Sequence, residues 1–281
     1  MIKELKELNF NKLLILDTDV SNYNIDEYFN NGSHKIKGYC TFCEQNGINL
    51  CPSDNNYKLL GISHGSMSED YIMALNKNDI NTDNWKTDNI LFIMESPGML
   101  YDWNVEKEYN SVKKYPTIEW YWIHNRQDKY VYPDYFKGGE YGNLFNSIIF
   151  TFELRNAYLT NFVKCGLNDK EGNYKGLYEY HPDCIKHCFN EFLLREIEIL
   201  KPKIVFCFGS KPEDLLWNNY PTDYPFHVVG LPHPARLQQG FKNEFFRHLF
   251  FNMILESLYK TGIYSLDETI EKYKMFLGKI L

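Results

Sequence analysis

The chain has 281 residues, 44% hydrophobic and 17% aromatic, with a formal net charge of −7. That size allows one substantial core plus an appended lobe, and no run approaches the roughly 18 apolar residues of a membrane span. The acidic balance opposes phosphate binding unless basic residues gather on one face, as Lys113 with Lys114, Arg126 with Lys129, and Arg236, Lys242 and Arg247 would allow.

The opening MIKELKELNF lacks the apolar stretch of a signal peptide, so a soluble, cytoplasmic protein without a membrane partner is expected. Seven cysteines in such a chain argue for buried, catalytic or metal-bound thiols rather than a disulfide framework. The run LLIL at 13–16 is too short for periodicity to separate strand from helix. Residues 21–88 are polar, rich in Asn, Gly, Ser and Asp, and carry Cys40, Cys43 and Cys51. They read as an irregular lobe held by something other than an apolar core.

From Asn89 the texture changes. The runs NILFIM, NAYLTNFV, KIVFCFG and FHVVGLP each predict a buried strand. Between them, 142–154 and 184–201 fit amphipathic helices, the second stopped by Pro202, and 211–217 begins a third with Pro212 in its first turn. The tail predicts two helices, the second capped by Ser265 or Asp267. Strands alternating with helices predict a mainly parallel sheet covered on both faces, with ligands outside the carboxyl ends of the strands. The organisation expected is an N-terminal lobe over 1–88, an α/β domain over 89–262 with an aromatic-rich insertion at 99–135, and a C-terminal helix over 263–281.

The strand ends carry the chemistry. Glu95-Ser96-Pro97-Gly98 follows the first strand, Asn161 and Lys164 lie near the end of the second with Cys165 just after, Gly209-Ser210 ends the third, and Pro232-His233-Pro234-Ala235-Arg236 ends the fourth. Together and in this order, ILFIMESPG, AYLTNFVKCG, EIEILKPKIVFCFGS and LPHPARL resemble the uracil-DNA glycosylase superfamily, closest to its iron-sulfur members in families four and five. The resemblance runs from about residue 89 to 250 and implies a three-layer α/β/α sandwich around a mostly parallel four-stranded sheet.

It also implies roles. Asn161 matches the residue whose amide reads the edge of a flipped pyrimidine, His233 the one set against the departing base, and Glu95 the motif-one acid that serves the water and the sugar. Phe136, or the adjacent Tyr135, matches the aromatic on which the base stacks, with Gly98 lining the base site. Lys164 and Arg236 are expected on the DNA, single or double stranded. Cys40, Cys43, Cys165 and Cys188, with Cys184 as the competing fourth ligand, would hold a [4Fe-4S] cluster. Zinc on Cys40, Cys43, Cys51 and either His64 or Cys165 is the rival. The chain departs from the family at Met94, where Gly is usual, and in the long aromatic stretch between Gly98 and Phe136. These departures leave the excised base open between uracil and a bulkier modified base. With the acidic balance, Met94 also keeps open a glycosylase-like binding module with little catalysis.

Overall fold

The structure is a computed structural model that describes residues 4–5, 8, 57–62, 66–67, 83–96, 148–169, 176–220, 223–233 and 244–278. In chain order the strands are β1 (Tyr57–Ile62), β2 (Ser66–Met67), β3 (Ile90–Met94), β4 (Ala157–Asn161), β5 (Cys165–Asp169), β6 (Ile204–Phe208) and β7 (His227–Leu231). The helices are α1 (Pro182–Cys188), α2 (Leu194–Leu200), α3 (Ser210–Asn219), α4 (Glu244–Lys260) and α5 (Leu266–Gly278). Two compact units are formed: one from Met1–Gly65, Met94–Tyr121 and Thr160–Leu200, the other from Ser66–Ile93, Trp122–Leu159 and Lys201–Leu281.

The second unit is built on the sheet β2-β4-β3-β6-β7. Its four main strands, β4, β3, β6 and β7, run parallel as expected, and the two-residue β2 adds an antiparallel edge on β4. Every residue of β6 is buried, as are the first four of β3, whereas the border strand β7 is mostly half-exposed. The difference follows from position, because an inner strand of a parallel sheet is covered on both faces and reads as a continuous apolar run. Phe92 lies opposite Phe206 in the β3–β6 register, and their rings stack at 5.1 Å. On the helical side, Phe251 of α4 lies against Phe152 at 4.9 Å and stacks on Phe276 of α5 at 3.9 Å. The Tyr264 hydroxyl between these helices donates to the Phe152 carbonyl at 2.5 Å.

Several helix boundaries follow local chemistry. Helix α2 ends at Leu200, just before Pro202. Ser265 caps α5: its hydroxyl accepts from the Glu268 N–H at 3.3 Å while the Glu268 carboxylate accepts from the Ser265 N–H at 2.8 Å, a capping box. The helix expected over 142–154 ends sooner. Residues 148–151 are helical, then the chain turns at Glu153, with φ 48°, and Leu154 bridges to Lys86.

The first unit has a different texture. β1 and β5 pair antiparallel, Ile62 opposite Cys165, with an irregularity between Leu59 and Gly61. Strand β1 falls in the stretch expected to be irregular. α1 and α2 are joined without a break by a π-helical segment, Phe189–Leu193, so the helix expected over 184–201 is present but carries one widened turn. Its buried face consists of Cys184, Ile185, Cys188, Phe189, Phe192, Leu193, Glu196, Ile197 and Leu200. A glutamate stands among those apolar residues. Among the described residues, no helix is long and apolar enough to cross a membrane.

Candidate active site

In the first unit, the chain beyond β4 continues alongside the chain beyond β3. The Phe162 N–H donates to the Met94 carbonyl at 2.8 Å, and the Val163 N–H donates to the Glu95 carbonyl at 3.1 Å. Glu95 is therefore fixed by its main chain, and its side chain is fixed as well: Oε2 accepts from the Leu177 N–H at 3.3 Å. Leu177 opens a 3₁₀ turn, Leu177–Glu179, and its N–H, which as the first of the turn has no main-chain partner there, is the one met by the Glu95 carboxylate. Glu95 is only 8% exposed. Asn161, the last residue of β4, is 7% exposed, and its carbonyl accepts from the Lys164 ammonium at 2.9 Å. A carboxylate and a carboxamide thus stand at the ends of neighbouring strands, both largely withdrawn from water.

Lys164 departs from the DNA contact expected of it. It is 1% exposed, and its ammonium lies 2.7 Å from Glu196 Oε2 and 2.5 Å from the Thr160 hydroxyl, besides the Asn161 carbonyl. An ammonium has three protons to donate, and these three acceptors take them all. Such an amine is committed inside the protein and has no proton left for a phosphate. The Thr160 hydroxyl in turn lies 3.0 and 3.1 Å from the two Glu196 oxygens. Glu196 did not emerge from the sequence reading. Its signal was there, a carboxylate on the apolar face between Phe192, Leu193, Ile197 and Leu200, because an ionised group in such a place needs a partner.

The second unit carries His233, half-buried and two residues beyond β7. The strand end before it is anchored: the Gly209 N–H donates to the Leu231 carbonyl at 2.6 Å. Gly209 links β6 to α3 with φ 92° and ψ 158°, a conformation open essentially to glycine alone. Gly98, Tyr135, Phe136 and Arg236 lie outside the described residues, as does the aromatic insertion 99–135.

Cys184 and Cys188 are one turn apart on α1, both buried and neither in a disulfide. That places both competing ligands on one helix face, as their spacing requires. Cys165 opens β5, and Cys40 and Cys43 lie outside the described residues. Among the described residues, no group of three or more His, Cys, Asp or Glu side chains is gathered as a metal would need. Cys207 in β6 is core, and burial, then the nearby Glu213 charge, push its thiol far above the ordinary range.

No curated protein matches the chain. A family comparison does reach the sheet and its strand ends: residues 127–258 match the model of the Uracil DNA glycosylase superfamily, a span that takes in Asn161 and His233 and begins after Glu95.

Proposed function

We propose that the chain is a DNA glycosylase that flips a uracil or another modified base out of DNA and hydrolyses its N-glycosidic bond. The observation that carries this reading is the superfamily match over 127–258, falling on a parallel sheet with Asn161 ending one strand and His233 just beyond another. Glu95, at the end of the strand next to β4, adds the carboxylate that the chemistry requires.

Breaking the bond leaves cationic character on the deoxyribose and negative charge on the departing base. Water supplies the new bond to the sugar carbon, and the electron pair of the broken bond leaves with the base. Glu95 serves the sugar side, orienting the water, taking its proton and opposing the positive charge. His233 serves the other side, donating a hydrogen bond to the base as it becomes anionic. The carboxamide of Asn161 offers a donor and an acceptor to the edge of the flipped base, and Phe136 or Tyr135 supplies the stacking face. In the same reading Cys40, Cys43, Cys165 and Cys188 or Cys184 hold a [4Fe-4S] cluster, which suits a set of thiolates and serves as a structural tie.

The test uses the purified chain with oligonucleotides that carry uracil or one of several modified bases, followed by alkali to reveal abasic sites. Cleavage of at least one substrate is expected. Under single-turnover conditions Glu95→Gln and His233→Ala should each slow it by about 10²- to 10³-fold with little change in DNA affinity. Wild-type rates in both variants, or no abasic product from any substrate, would refute the assignment.

A further inference from the structure

We infer that the buried Lys164–Glu196 pair is a positioning device for Asn161, and hence a determinant of base choice if Asn161 reads the base as proposed above. The geometry points there through a single peptide group. The peptide between Asn161 and Phe162 is held at both ends, its carbonyl by the Lys164 ammonium at 2.9 Å and its N–H by the Met94 carbonyl at 2.8 Å. A planar peptide fixed on both sides has little freedom to rotate, so the direction in which Asn161 leaves the backbone is fixed with it.

The anchor is itself immobile. Lys164 is 1% exposed, Glu196 0% and Thr160 1%, and the ammonium meets Glu196 Oε2, Thr160 Oγ1 and the Asn161 carbonyl together. Stability alone does not account for such a pair. Taking two charges out of water is costly, and well-packed apolar residues of similar volume often do as well or better. What apolar residues cannot do is donate a hydrogen bond to the Asn161 carbonyl. Glu196 fixes the ammonium, and the ammonium fixes the peptide.

The experiment compares two double variants with the wild type. Lys164→Met/Glu196→Met removes both charges, and Lys164→Glu/Glu196→Lys keeps an ion pair but puts at position 164 a carboxylate that cannot donate to the carbonyl. Two readouts are taken. One is the ratio of kcat/KM for oligonucleotides carrying uracil and thymine. The other is the side-chain amide resonance of Asn161 in protein labelled with ¹⁵N-asparagine, assigned by its loss in Asn161→Asp. The methionine pair should stay folded, lose about tenfold in discrimination, the scale of one hydrogen bond, and show a split or broadened Asn161 resonance. The exchanged pair should do the same if it folds; should it not, the methionine pair decides the question. Unaltered discrimination and a single sharp Asn161 resonance in the folded methionine pair would overturn the inference. If the resonance splits but Asn161→Asp leaves the ratios unchanged, the positioning stands, and the base-reading role of Asn161 is what fails.

Discussion

The end of β4 and the interior of β6 are both buried, yet they are held by opposite means. Around β6 the contacts are aromatic: Phe206 and Phe208 face Phe92 across the sheet at 5.1 and 6.0 Å. Around Thr160–Lys164 they are ionic and directional, with one ammonium bonded to a carboxylate, a hydroxyl and a carbonyl, and the hydroxyl bonded in turn to the carboxylate. Dispersion and water exclusion reward the first arrangement for filling space and tolerate rearrangement of similar volume. The second is rewarded only when each donor meets its acceptor. The comparison therefore separates residues that hold the protein together from residues that aim one of its parts.

Substitution tests that division most severely where each region is densest. Phe206→Ala leaves a cavity beneath a fully buried ring and should cost about 3–5 kcal/mol in urea unfolding. Lys164→Met alone strands the Glu196 carboxylate and should cost a similar amount, about 3–5 kcal/mol. The two diverge in what a second change restores. Adding Glu196→Met to Lys164→Met should recover most of the loss, whereas adding Phe92→Ala to Phe206→Ala should deepen it. A methionine pair no more stable than Lys164→Met alone would erase the distinction.

A smaller effect is expected at Gly209, where the strand-to-helix turn takes φ 92°. Gly209→Ala should cost about 1–3 kcal/mol from backbone strain, measured by the same unfolding. A loss below about half a kcal/mol would mean that the turn relaxes freely.

These contrasts also explain what was legible in the sequence. The inner strands announced themselves because such strands must be continuous apolar runs, and NILFIM and KIVFCFG could hardly be anything else, whereas FHVVGLP, read as buried, forms the half-exposed border strand β7. Ser265 and Pro202 spoke through local rules that act over a few residues. Strand β5, CGLND, carries no such signal, since its pairing with β1 is set by a partner about a hundred residues earlier. The π-helical turn at Phe189–Leu193 is equally silent, because one extra residue in a helix changes hydrogen bonding without breaking the apolar pattern. For the site, Glu95, Asn161 and His233 stood out as polar residues at strand ends. The burial of Lys164 has a physical source. A lysine at a strand end is ordinarily solvated, and its burial depends on Glu196, 32 residues further on. Only the position of that glutamate on an apolar helix face hinted at a buried cation.

The mildest expected effect concerns Glu268, which contrasts with Glu196 by keeping its ion pair half in water. Its carboxyl is held down at about 2, first by the hydrogen bond from Lys86, then by the Ser265 N–H and hydroxyl, against an opposing push from partial burial. The folded form therefore favours the carboxylate more than the unfolded chain does, where the group titrates at about 4.3. The sign follows: the stabilisation is complete above the unfolded value and is lost as pH falls through the folded one. With 40% of the Glu268 side chain exposed, screening limits it to about 1 kcal/mol or less. Glu268→Gln should accordingly lower Tm by a few degrees at pH 7. That gap should close between about pH 5 and pH 2 and shrink in molar salt at neutral pH. An equal gap at pH 7 and pH 2 would show that Glu268 acts through packing rather than charge, and would place the α5 cap with the aromatic core rather than with the ionic contacts.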